Sequence, residues 1–153
     1  MSVEVKLKSL GIELPTPAKP VANYVPWVKS GNLVFIAGQG AMHDGKFQFL
    51  GHLGENISVA DGAAAARLCA INILAQLREA CGGDLERVKQ IVKLVGFVSC
   101  TPDFIDHPKV VNGASDLMVE VFGNKGRHAR SAVGAPSLPM NLSVEIEAII
   151  EIE

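Results

Sequence analysis

The chain has 153 residues, 48% of them hydrophobic and 20% charged, with a net charge of −2. That is about one domain's worth of sequence, and it is apolar enough to bury a core without disulfides or metals, so disorder is excluded. Lysines and arginines are scattered and aromatic residues are only 5% of the chain. The basic stripe with stacking aromatics that a nucleic-acid surface needs is therefore missing.

The first 20 residues contain Pro15, Pro17 and Pro20 and read as an edge-lying or mobile lead-in without a regular element. They also lack the continuous apolar run of a signal peptide, and nothing in the chain approaches the length of a membrane span. Residues 24–29 read as a strand, confined to an edge or bulge by Pro26. After the turn Ser30-Gly31-Asn32, residues 33–37 form a buried apolar strand, completing a β-hairpin. Gly38-Gln39-Gly40 ends it, either as a plain turn or as a place where a ligand approaches the backbone. Residues 41–57 read as loop, with Asp44-Gly45 marking a turn and a small hairpin through residues 46–50.

Ser58-Val59-Ala60-Asp61 resembles a capping box and opens a helix that runs to Cys81 and stops at Gly82-Gly83. Ala66, Ala70, Ile73, Leu74, Leu77 and Cys81 share its apolar face, while Arg67 and Arg78 lie among solvated positions. One helical turn follows at 85–88. Residues 90–100 form a second buried strand, with Val92, Leu94, Gly96 and Val98 on one side and Ile91, Val95 and Phe97 on the other. Apolar residues in both phases imply a strand covered on both sides. Past Thr101-Pro102-Asp103, His107-Pro108 precedes a second helix over 109–122, with Val110, Val111, Ala114, Leu117, Met118 and Val121 as its stripe. Gly123-Asn124 ends it. A strand or edge segment at 129–134 and a long final strand at 143–152 complete the order β-β-α-β-α-β-β, with two helices on a mixed sheet and no linker.

Several chemistries find no support. The chain has no P-loop, and Gly38–Gly40 lacks the third glycine of a dinucleotide site. His43, His52, His107 and His128 have no metal-ligand spacing, although His43 and His52 share a loop. No cysteine has an obvious histidine partner in sequence. Cys69 and Cys81 share one helix about 18 Å apart, too far for a bridge, and the chain reads as a reduced cytoplasmic protein. Arg130 and Glu145 remain. Arg130 reads either as a surface or salt-bridged arginine or as a fork for a carboxylate. Glu145 reads either as part of a solvated strand face with Glu147 and Glu151 or as an acid–base group. Their order along the chain allows a cation and a carboxylate at neighbouring points of one sheet.

The segment Arg130-Ser131-Ala132-Val133-Gly134, continuing through Leu138-Pro139 to Val144-Glu145-Ile146-Glu147-Ala148, resembles the C-terminal signature of the YjgF/RidA (endoribonuclease L-PSP) family. Tyr24-Val25, Phe35-Ile36-Ala37-Gly38-Gln39 and Val111-Asn112 match the family pattern in the same order. The resemblance implies a single chorismate-mutase-like α/β (α+β) domain over the whole chain, assembled as a homotrimer with sites between subunits. It implies a hydrolase acting on reactive imines and enamines such as 2-aminoacrylate, yielding 2-keto acids and ammonia without a metal or organic cofactor. Arg130 matches the arginine that binds the substrate carboxylate and Glu145 the glutamate beside the attacking water. Tyr24, Gly38, Gln39, Asn112 and Ala132 match the rest of the cleft, and many members have cysteine where this chain has Ala132. Two other readings of the scaffold are a non-catalytic binder of small carboxylate metabolites and the RNase of the family's older name. The net charge argues against the latter.

Overall fold

The computed structural model describes residues 1–17 and 22–153. Its centre is a five-stranded sheet made of β1 (Trp27–Ser30), β2 (Leu33–Gln39), β5 (Val88–Ser99), β6 (Ala129–Ala135) and β7 (Val144–Ile152). The order across the sheet is β1-β2-β7-β5-β6. All pairs are antiparallel except β5 with β6. A parallel pair needs a crossover connection, and helix α3 (His107–Phe122) supplies it. Helix α2 (Val59–Ala80) packs over β7 and β2, and α3 packs over β5 and β6. The expected layer of two helices on one face of a mixed sheet is therefore present.

Local chemistry sets the helix ends. Ser58 caps α2, its Oγ accepting from the Asp61 amide at 3.1 Å, and Asp61 itself complements the positive helix end. The apolar faces read from periodicity in both helices are buried. They close over Val34, Ile36, Leu94, Val98, Val144, Ile146 and Ile150, all buried on the sheet's helix side. Between the helices, a Cβ built on Gly113 meets the Ala63 carbonyl oxygen at 2.0 Å. Only a glycine lets the two helix backbones approach this closely.

Four expectations need correction. Val3–Ser9 forms helix α1, capped by Ser2, with Leu7 buried in the core. Pro15 and Pro17 fall beyond its end, so they never constrained it (Pro20 lies outside the described residues). The first strand begins at Trp27, leaving Tyr24 and Val25 in an irregular lead-in. Helix α3 begins at His107 rather than at 109, with Pro108 in its first turn, where a missing N–H costs nothing. In β5 the register slips between Ile91 and Lys93. This bulge turns Ile91 to the helix side with Leu94, Gly96 and Val98, and leaves Val92 exposed.

The small hairpin of the 41–57 loop pairs β3 (Met42–His43) with β4 (Lys46–Phe47) around Asp44-Gly45. Asn72, buried on α2, donates to the carbonyls of Gly40 and Met42 and so ties the end of β2 to the helix. The other sheet face, opposite the helices, is left uncovered by the described residues. Phe35 and Val133 are 39% and 43% exposed there, so the covering expected on both sides of the sheet is provided by the described residues on one side only. Among the described residues no helix is long and apolar enough to cross a membrane.

Candidate functional site

Arg130 sits on edge strand β6, in register with Leu94 of β5. Leu94 lies under the helices, so Arg130 points to the same side. There Nη1 donates to Asn112 Oδ1 at 2.8 Å and to Ser115 Oγ at 3.1 Å, both on α3. Ser115 Oγ lies 2.8 Å from His128 Nε2, and His128 Nδ1 lies 2.6 Å from the Gly126 carbonyl oxygen. A carbonyl only accepts, so Nδ1 carries the proton, Ser115 donates to Nε2, and Ser115 accepts from Arg130. Every role in the chain of bonds is then satisfied. Among the described residues the guanidinium is held through one nitrogen, and it is partly exposed, leaving the rest of its planar fork for a ligand.

Ala132 follows on the same strand face, opposite Gly96 of β5 and packed against the core. His128, Arg130 and Ala132 alternate by two, and Asn112 and Ser115 stand one helical turn apart. These two periodicities were the signal in the sequence for Ser115 and His128, which a search for single motifs passes over.

Glu145 stands elsewhere. It pairs with Phe97, in the opposite phase from Leu94, and so belongs to the sheet face turned away from the helices. Its carboxyl group lies over Gly38: a Cβ at Gly38 would meet Glu145 Oε2 at 2.7 Å. The glycine is therefore explained by close approach of a side chain of the same chain rather than by a turn. Gln39 adjoins it, with Nε2 bonded to the Ala37 carbonyl. Burial, reinforced by the charge of Glu147, holds the Glu145 carboxyl above the ordinary glutamate range.

The candidate residues thus fall into two groups. Arg130, Asn112 and Ala132 form one on the helix side of the β6 edge. Glu145 and Gly38 form the other on the opposite face of β7 and β2, while Gln39, past a bulge in β2, is in register with Ile146 and so in the helix-side phase. Tyr24 lies in the segment before β1, 55% exposed. The neighbouring placement of Arg130 and Glu145 expected from sequence does not occur within one chain. Two strand spacings separate β6 from β7, about 10 Å, and the two side chains leave the sheet in opposite directions. The loop between them crosses the end of β5 with Met140 and Asn141 in left-handed backbone.

The histidines of the 41–57 loop diverge. His43 stays at the surface beside Asp44, whereas His52 Nδ1 meets the buried Ser99 Oγ at 2.6 Å. The expectation that no cysteine has a histidine partner is overturned as well, since Cys100 Sγ lies 3.4 Å from His107 Nε2. The loop at Thr101–Asp106 folds the two together, which sequence spacing alone does not reveal.

Residues 4–151 match the YjgF/chorismate mutase-like family. Protein TCP17 of Trypanosoma cruzi is 45% identical over 98% of this chain and 94% of its own length. The 2-iminobutanoate/2-iminopropanoate deaminase of Dermatophagoides farinae is 30% identical over 93% of this chain and 95% of its own. The crystal structure of Atu1372 from Agrobacterium tumefaciens superposes with a TM-score of 0.93 at 49% identity, covering 99% of this chain and 92% of that one. The chain belongs to the YjgF/chorismate mutase-like family.

Proposed function

We propose that the protein is a reactive imine and enamine deaminase whose site is completed between subunits of a homotrimer. Arg130 of one subunit binds the substrate carboxylate, and Glu145 of a neighbour holds the attacking water. The observation that carries this reading is the separation of two prepared halves. One is a guanidinium tethered through Nη1 to Asn112 and Ser115, and the other is a carboxyl group whose proton affinity is raised. The deaminase of Dermatophagoides farinae, similar along nearly the whole chain, supports the reaction class.

The chemistry requires little more. Arg130 would orient a 2-imino acid by its carboxylate. Water adds to the imine carbon as Glu145 takes one of its protons and passes it to nitrogen, giving the carbinolamine; Glu145 then takes the hydroxyl proton and delivers it to the amine as the C–N bond breaks, releasing keto acid and ammonia. Tyr24, Gly38, Gln39, Asn112 and Ala132 would complete the cleft walls. The RNase reading gains no support. Among the described residues no lysine or arginine lines the cavity that His52 and His107 share, and Glu55 does line it, whereas RNA binding rests on phosphate contacts with cations.

The test is ammonia release while a serine dehydratase generates 2-aminoacrylate in situ. The protein accelerates release, and Arg130→Ala lowers kcat/KM by about 10- to 100-fold, the loss of a charged hydrogen-bonded contact. Pyruvate binding by calorimetry without acceleration would instead establish the non-catalytic binder.

A further inference from the structure

A cavity of about 540 Å³ lies at the ends of β5 and β6, lined among others by Cys100, His107, His52, Phe104, Thr101 and Gly134. This is the size of a small-molecule site. Of the three cysteines, Cys69 and Cys81 are buried, and Cys100 alone is partly accessible. Its Sγ lies 3.4 Å from His107 Nε2. The Phe104 ring meets the imidazole edge-on, with centroids 5.1 Å apart, and braces it. Gly134 makes room for the pair, since a Cβ there would lie 2.6 Å from His107 Nε2 and 2.9 Å from Cys100 Sγ.

We propose that Cys100 and His107 form a thiol–imidazole addition site in this cavity, capturing small neutral α,β-unsaturated carbonyl compounds by conjugate addition at Cys100 Sγ. The surroundings select this chemistry. An acyl-transfer site needs backbone N–H groups beside the nucleophile to hold an oxyanion. The Cys100 amide is already bonded to the Ala135 carbonyl, and the Thr101 amide to that of Leu53. A conjugate acceptor places its developing charge several bonds from sulfur and does not need them. Pro102, Phe104 and Pro136 offer an apolar wall for its carbon skeleton, and among the described residues no cationic side chain lines the cavity to favour an anion.

Burial keeps the Cys100 thiol protonated above its usual range, with partial relief from the Ala135 backbone. A free thiolate is therefore not the resting form, and the base at 3.4 Å becomes the means of activation. Neutral His107 takes the thiol proton at Nε2 as Sγ bonds to the β-carbon. The π electrons shift to the α-carbon, which then takes that proton from His107. One S–C and one C–H bond replace the S–H and the C=C π bond, and no redox partner enters.

The experiment exposes the full chain at pH 7 to 2-cyclohexen-1-one and follows adduct formation by intact mass, with the site located by peptide mapping. Expected is a single adduct at Cys100, formed at least about tenfold faster than on N-acetylcysteine, abolished in Cys100→Ser and slowed about tenfold or more in His107→Gln. Melting curves establish that the variants are folded. A wild-type rate no greater than that of N-acetylcysteine overturns the proposal without recourse to any variant. So does an undiminished rate in folded His107→Gln. Neither outcome bears on the deaminase reading, which does not use these residues.

Discussion

Arg130 and Glu145 are prepared in different ways. The guanidinium is fixed by a run of bonds through Ser115 and His128 to a backbone carbonyl, so its direction is set before any ligand arrives. Glu145 has burial and a like-charged neighbour instead, and both make its proton harder to lose. As a base it acts when ionised, so activity is present above its pKa and lost as pH falls through it. The acid limb of kcat/KM for 2-aminoacrylate should accordingly have its midpoint above the ordinary glutamate value of about 4.3, and Glu145→Gln should remove the activity. An acid midpoint at or below that value would contradict the role. The same shift lowers fold stability as pH rises from the ordinary value through the raised one, because the unfolded chain ionises first.

Among the elements, α2, α3 and β7 were the most legible because each keeps one period along its whole length. Local breaks were less so. Prolines at 15 and 17 obscured a seven-residue helix that ends before them, and the slip near Val92 is invisible to a reading that assumes strict alternation. The close approach of α2 and α3 was also hidden, since Gly113 looks like an unremarkable helix glycine until Ala63 is placed against it. Gly113→Ala should destabilise the protein by about 1–3 kcal/mol, overpacking a contact that involves backbone. That is a fall in Tm of about 2–4 °C per kcal/mol at this chain length. An unchanged melting temperature would show that the helices separate at no cost.

For the molecule as a whole, the decisive fact is that the two candidate groups lie on opposite faces of one sheet. The sequence shows the phase of each residue within its own strand. It does not show that β5 intervenes between β6 and β7, nor which phase meets the helices, because both depend on pairings between distant segments. Arg130 and Glu145 were therefore identifiable as candidates, while their separation was not. The uncovered apolar face with Phe35 and Val133, next to Glu145, is where a neighbouring subunit would seat. The most direct test of a shared site is subunit mixing. Arg130→Ala and Glu145→Gln chains, each with at most about a tenth of wild-type activity alone, are co-refolded in equal amounts and assayed for 2-aminoacrylate deamination. A site built from two chains recovers about a quarter of wild-type activity, the fraction of junctions in which both contributing residues are intact. A mixture as inactive as its components would contradict the account.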